Sequence, residues 1–231
     1  MRQLGVFAKY WEPGAVKTRL AATVGEQVAA EFHRFSLETT LRRCEAVADR
    51  NVLGYWPPDK WDAFGCVCRG WWDGLPQPSG NLGTRMWHYF VTSFATGADR
   101  VVLIGSDSPN LPISIVAQAF ELLSERTLVL GPSTDGGYYL VGGRREMPNI
   151  FADISWGTPE VWQQTVTQIH ALDLVWSELP RWYDIDTWQD VLRLRADLSQ
   201  IPGDRHLERL GRFVSQLVGG RSEEGRGEGT S

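Results

Sequence analysis

The stretch Arg100-Val101-Val102-Leu103-Ile104-Gly105 constrains the chain most, because four apolar residues run without interruption into a glycine. A strand with one wet face alternates apolar and polar residues, whereas a continuous run is covered on both faces and belongs at the centre of a parallel sheet. Other segments agree with that reading. Gln3 to Lys9 is short, apolar and followed by a Pro-Gly loop, as a buried strand feeding a turn would be. Asn51–Trp56, Thr127–Leu130, Gly137–Val141 and Asp173–Leu179 read as further strands, and Phe64–Cys68 as a short one. Between them, apolar residues at helical spacing mark Glu26–Ala48, Leu82–Thr96, Pro112–Ser124, a helix opened by Thr158 as N-cap with Pro159 in its first turn, Thr187–Leu198 and Asp204–Val218.

Strands alternating with helices of this length imply βαβ crossovers, hence a three-layer α/β fold with a mostly parallel central sheet and helices on both faces. The expected organisation is one domain over residues 1–218. The stretch 219–231, rich in glycine, glutamate, arginine and serine without an apolar anchor, is expected to be a disordered tail.

Composition narrows the function classes. At 231 residues a single domain buries roughly 70–75% of its unfolded surface, so neither disulfides nor a structural metal is required. The formal net charge of -5 argues against a broad nucleic-acid or anionic-membrane surface, which would need a basic excess. No window reaches the ~20 apolar residues of a membrane span and the N-terminus lacks a signal-peptide pattern, so a cytoplasmic location is expected by default. Cys44, Cys66 and Cys68 are an odd count without a second Cys or His pair nearby, and read as reduced thiols.

In open α/β sheets ligands sit beyond the carboxyl ends of the strands, and three such turns carry chemistry. The first, Phe7 to Leu20, combines Gly14 with Lys17 and Arg19, two fixed charges in a short loop suited to a phosphate or diphosphate. It is not a Walker loop, since the required glycine spacing is missing, and a solvated basic loop remains an alternative. The second, Gly105-Ser106-Asp107-Ser108-Pro109, sets a carboxylate just past the central strand, where it could hold a hard cation or instead cap the next helix. The third, Gly131 to Gly142, places Asp135-Gly136-Gly137 between two apolar segments. The glycines permit positive φ or a close backbone approach to a ligand, although a hairpin turn explains Asp135-Gly136 as well. Further on, Trp156-Gly157-Thr158 precedes a helix start. Asp184-Ile185-Asp186 puts two carboxylates on one side of an extended segment, able to share a cation, with N-capping by Asp186 or Thr187 as the competing role. Most of the 11 tryptophans read as core or rim packing, with Trp11 or Trp156 free to stack on a base or sugar.

These segments together resemble a known family. Phe7-Ala8-Lys9, Pro13-Gly14-x-Val16-Lys17-Thr18-Arg19-Leu20, Leu82-Gly83-x-Arg85-Met86, Gly105-Ser106-Asp107-Ser108-Pro109-x-Leu111, Leu130-Gly131-Pro132-x-x-Asp135-Gly136-Gly137-Tyr138-Tyr139-Leu140, Trp156-Gly157-Thr158 and Asp184-x-Asp186-Thr187 occur in unbroken order over about residues 3–198. They are similar to a bacterial family identified as glycosyltransferases of the GT-A, nucleotide-diphospho-sugar transferase fold, some associated with arsenosugar biosynthesis. Two departures stand out. Many GT-A enzymes carry Asp-x-Asp where this chain has Ser106-Asp107-Ser108, and Tyr10-Trp11-Glu12 replaces smaller residues, which bears on the acceptor.

The resemblance implies a nucleoside-diphosphate-sugar donor and a divalent cation, Mg²⁺ or Mn²⁺. Joined to the loops, it assigns Phe7, Ala8, Lys9, Lys17, Arg19 and Ser106 to the nucleotide and its phosphates, and Asp107 to the metal. Asp135, Gly136, Gly137 and Trp156 fall to the sugar or acceptor. Asp184 and Asp186 are the catalytic carboxylates, completing the cation shell or acting as base on an acceptor hydroxyl. The expected reaction is glycosyl transfer to a small-molecule acceptor. Nucleotidyl transfer from a nucleoside triphosphate to a phosphorylated small molecule is the alternative, and a binding module without turnover is a third.

Overall fold

The computed structural model describes the backbone of residues 1–68 and 70–227 and the side chains of residues 1–68 and 70–220. Among the described residues, seven strands and eight α-helices follow in the order β1 Arg2–Lys9, α1 Thr18–Val24, α2 Glu26–Cys44, β2 Arg50–Trp56, α3 Trp61–Cys68, β3 Asp73–Pro76, α4 Leu82–Ala95, β4 Arg100–Gly105, α5 Ile113–Leu122, β5 Leu128–Pro132, β6 Tyr138–Arg144, α6 Val161–Ala171, β7 Trp176–Glu178, α7 Trp188–Leu198 and α8 Arg205–Gly227. The sheet order is β3-β2-β1-β4-β6-β5-β7. β6 runs antiparallel to both β4 and β5, and the other pairings are parallel. The expected mostly parallel α/β sheet is therefore the one observed.

β4 shows why its sequence is continuously apolar. Side chains alternate across a strand, so Val102 and Ile104 enter a core shared with α2, α3 and α5. Val101 and Leu103 enter another, shared with α4, Met147, Phe151 and Ile169 of α6. Each such fully buried side chain contributes about 1.5–3 kcal/mol relative to exposure, which ties both helical layers to one strand. A third cluster, built on Leu20, Phe32, Ile185, Leu194, Leu210 and Val214, fastens α1, α2, α7 and α8 together beside the sheet.

Several elements differ from the expected ones. Phe64–Cys68 is not a strand but the end of α3, because Trp61, Phe64, Val67 and Cys68 recur at helical spacing and bury a common face on the first core. The helix expected to open at Thr158 begins at Val161. The Thr158 hydroxyl donates backwards to Ser155 O at 2.8 Å instead of capping the helix. α1 has no counterpart in the expected pattern, since its seven residues bury only Leu20 and show no repeated period. The strand expected over Asp173–Leu179 contracts to β7. The helical backbone of α8 continues past Val218, the last residue of its apolar anchor, through Gly219 and Gly220 to Gly227, within the stretch expected to be disordered. Residues 228–231 of that expected tail lie outside the described residues. No helix among the described residues is long and apolar enough to cross a membrane.

Candidate functional site

Parallel pairing of β1 with β4 brings their carboxyl ends, Lys9 and Gly105, to one edge of the sheet. The β5–β6 hairpin turns over on that same edge. After β7 the chain runs beside the end of β5, with Ser133 bridged to Trp182, which carries Asp184 and Asp186 to the rim. Two cavities adjoin there and share Phe7 and Leu82 in their walls. One, of about 330 Å³, is lined by Ala8, Lys9, His33, Trp56, Gln77, Arg85, Ser106 and Asp107. The other, of about 480 Å³, is lined by Arg19, Met86, Asp135, Gly137, Tyr138, Trp156 and Asp184 among others.

The carboxylates are drawn together by cations from the first loop. Lys17 stands at the N-cap of α1 in the left-handed conformation, φ 47° and ψ 42°. Its side chain is only 3% exposed, contacts the Asp107 carboxylate and lies with Nζ 2.9 Å from Asp186 Oδ1. Arg19 Nη2 is 2.6 Å from Asp186 Oδ2. Burial alone would raise the Asp107 pKa, yet Lys17 and then His33 hold it well below the usual carboxylate range. Burial likewise works to neutralise Lys17, and the charges of Asp107 and Asp186 outweigh it and push its pKa above the ordinary lysine value. His33, buried in α2, has Nε2 3.0 Å from Lys9 O and Nδ1 3.7 Å from Asp107 Oδ1. A carbonyl can only accept, so Nε2 carries a proton and Nδ1 faces the carboxylate.

Asp184 sits in a different balance. Ser108 Oγ is 2.6 Å from Asp184 Oδ1 and 3.0 Å from Tyr183 O, sharing its single proton between them. Ile185 N donates to Asp107 O at 2.9 Å, which closes the β4 loop onto this segment. Burial foremost pushes the Asp184 carboxyl up to about 6; the negative charges of Asp107 and Asp135 add to the shift, while Ser108 and Lys17 oppose it. The loop after β4 is held from behind by Arg43, whose Nη1 donates to Pro109 O and Leu111 O at 2.8 Å each while Nε meets Asp204 Oδ2 at 2.7 Å.

The hairpin turn forms one side of the larger cavity. Asp135 Oδ1 accepts from Gly137 N at 3.1 Å and from the Ser133 hydroxyl. Gly136 has φ 94°, and a Cβ there would stand 2.4 Å from Pro159 O, so only glycine lets the turn press on the segment before α6. Opposite, Tyr138 and Trp156 meet edge to face at 6.2 Å, and the Tyr138 hydroxyl and Trp156 Nε1 are buried without hydrogen-bond partners among the described residues.

The residues named from the sequence divide between the two cavities. Phe7, Ala8, Lys9, Ser106 and Asp107 line the smaller one, and Arg19, Asp135, Gly137, Trp156 and Asp184 the larger. Lys17, Gly136 and Asp186 line neither: Gly136 packs on Pro159, and the other two are joined in their ion pair. Tyr10 and Trp11 turn to Phe64, 6.3 and 5.3 Å away, and belong to a core cluster. Sequence reasoning gave no role to His33, Ser108, Gln77 or Arg85, whose guanidinium lies 4.5 Å over the Trp56 ring. Ser108 and Arg85 stood inside quoted motifs, whereas a lone histidine in a helix carries no signal.

Among the described residues no group of three or more His, Cys, Asp and Glu side chains forms a cage able to hold a metal. A Mg²⁺-type site needs less, since one or two carboxylates with substrate phosphate and water suffice. Asp107 and Asp184 are hard oxygen donors, and the charge of Asp107 is one contribution to the raised Asp184 pKa, second to burial, which a cation shared by the two would relieve. The donor set fits such an ion.

A family model described as "Uncharacterized protein conserved in bacteria (DUF2064)" matches residues 40–158. No curated protein matches the sequence. Among solved structures, the chain is similar to a candidate nucleotide-diphospho-sugar transferase from Desulfovibrio desulfuricans G20, with TM-score 0.81 and 32% identity over 94% of this chain and 97% of that one. It shares its fold with the 4-diphosphocytidyl-2C-methyl-D-erythritol synthase of Anaerococcus prevotii DSM 20548, TM-score 0.58 and 12% identity over 86% and 98% of the two chains. The same holds for a cytidylyltransferase from Leptospira borgpetersenii, TM-score 0.55 and 11% identity over 97% and 95%.

Proposed function

The chain belongs to that bacterial family, DUF2064, and on this premise we propose that it is a cytoplasmic, metal-assisted transferase that moves a sugar from a nucleoside-diphosphate-sugar donor to a small-molecule acceptor. The observation that carries the reading is the pair of adjoining cavities with Asp107 in the wall of one and Asp184 in the wall of the other. A donor lies across that junction with its nucleoside toward Trp56, Gln77 and Arg85, and its sugar toward Asp135 and Gly137. Asp107 and Asp184 would hold the cation, which when bound supplies neutralisation of charge on the departing diphosphate.

The chain's own residues do the rest. Lys9, Arg85 and Arg19 line the two cavities as cations for the phosphates. Asp135, fixed by Gly137 N and Ser133, accepts hydrogen bonds from sugar hydroxyls. Tyr138 and Trp156 wall the larger cavity and exclude water that would compete with the acceptor.

One observation favours nucleotidyl transfer as the second reading. Arg19, 65% exposed, lines the same cavity as Asp184, a placement suited to an acceptor that brings its own phosphate.

A thermal-shift screen of nucleotides and nucleotide sugars with and without Mn²⁺ tests the donor class and cation together. Asp107→Asn should abolish the Mn²⁺-dependent part of the donor shift; unchanged donor affinity in that variant would remove the assignment. Release of nucleoside diphosphate from a sugar-nucleotide panel supports sugar transfer, and release of pyrophosphate from triphosphates with sugar phosphates supports the alternative.

A further inference from the structure

We infer that Lys17 is a positioning residue: its buried ammonium spaces Asp107 and Asp186 as a built-in counter-cation, and it competes with a divalent ion for Asp107 rather than contacting the donor's phosphates. Three observations lead there. Lys17 lines neither cavity, while Lys9, Arg85 and Arg19 do. Its side chain is 3% exposed and touches both carboxylates, one from the loop after β4 and one from the segment before α7. Its backbone adopts the left-handed region without being glycine, a conformation that persists where surrounding contacts demand it.

The electrostatics follow. A phosphate ligand must be able to leave its present partners and meet the anion, and if Lys17 left these, Asp186 would keep only Arg19 and Asp107 only His33, 3.7 Å away. Conversely, a positive charge beside Asp107 opposes a second cation on the same carboxylate. Removing the ammonium should therefore strengthen binding of a divalent ion, the reverse of what loss of a phosphate contact would do.

This inference rests on the proposed use of Asp107 as cation holder, and the test separates the two. Mn²⁺ binding is measured by calorimetry without nucleotide, and binding of UDP, CDP, GDP and ADP is measured in chelator, for wild type, Lys17→Met and Lys17→Arg. Lys17→Met should bind Mn²⁺ at least tenfold tighter and melt lower unless Mn²⁺ is added. Its affinity for whichever nucleoside diphosphate binds should stay within threefold of wild type, and Lys17→Arg should return Mn²⁺ affinity toward the wild-type value. Unchanged Mn²⁺ affinity with a tenfold loss of nucleotide affinity overturns the role and makes Lys17 a phosphate contact. Tighter Mn²⁺ binding in a protein that takes none of the four nucleotides under any condition supports Lys17 as described and overturns the transferase reading. Should Lys17→Met fail to fold, Lys17→Met/Asp186→Asn is compared with Asp186→Asn, and the double variant should again bind Mn²⁺ more tightly.

Discussion

Ser108 Oγ lies 2.6 Å from Asp184 Oδ1, so the loop that follows the central strand and the segment that precedes α7 share a proton at the wall of the larger cavity, which Asp184 lines. That bond is the main local force favouring ionised Asp184, against burial and the charges of Asp107 and Asp135, which together push its carboxyl up to about 6. Cation binding requires the carboxylate, so Mn²⁺ affinity should climb as pH rises through about 6. Ser108→Ala withdraws the opposing hydrogen bond and should move that midpoint upward. A Mn²⁺ titration series from about pH 5 to 8 reads the shift directly; a midpoint that stays in place would show that Ser108 does not control Asp184.

The same carboxyl makes a stability prediction whose sign can be worked out. Its folded pKa of about 6 lies above the ordinary aspartate value of 3.8, so the contribution it makes is complete below the unfolded value and is lost as pH rises through about 6. Asp184→Asn, which cannot ionise, should therefore melt higher than wild type near pH 8 in metal-free buffer, and the gain should shrink toward pH 4. Equal gains at both ends of the range would contradict the buried-carboxyl account.

Arg43 braces the β4 loop through two carbonyls and Asp204, with only 7% of its side chain exposed. Arg43→Met keeps most of the apolar stem and removes all three bonds, leaving two carbonyls without that donor. A loss on the order of 2–4 kcal/mol is expected. Denaturant unfolding gives the stability change, and Mn²⁺ affinity measured well below the melting temperature should also weaken, because the loop that carries Asp107 loses its support.

Gly136→Ala places a Cβ 2.4 Å from Pro159 O at a residue whose φ is 94°. Both the contact with rigid backbone and the left-handed conformation oppose it, so a cost of about 2–4 kcal/mol is expected. Because Asp135 and Gly137 flank the position, donor binding should suffer along with stability. Gly203, which also has positive φ but has open space around its Cβ position, provides the control: Gly203→Ala should cost about 1 kcal/mol and leave donor binding alone.

Much of the architecture was legible in local pattern. The Val101–Ile104 run demanded cover on both faces, and the two cores divide its side chains between them. The loops after β1, β4 and β5 were marked by charge and glycine, and the sheet gathers all three on one rim. Short apolar stretches were ambiguous. Phe64–Cys68 satisfies either period over five residues, and the helix is selected by the face that Trp61, Phe64, Val67 and Cys68 together pack on the first core.

The site's internal partnerships were not legible in the same way. Asp184 and Asp186 are two residues apart and equivalent by pattern, yet one reaches the larger cavity and Ser108 while the other is held by Lys17 and Arg19. Periodicity and turn chemistry act over a few residues, so sequence alone determined the α/β layering, the central strand and the loops that carry charge. Which cation neutralises which carboxylate depends on distances and desolvation among residues 17, 107 and 186. Those quantities exist only once β1, β4 and the segment before α7 are brought to one edge of the sheet, and tertiary structure decides them.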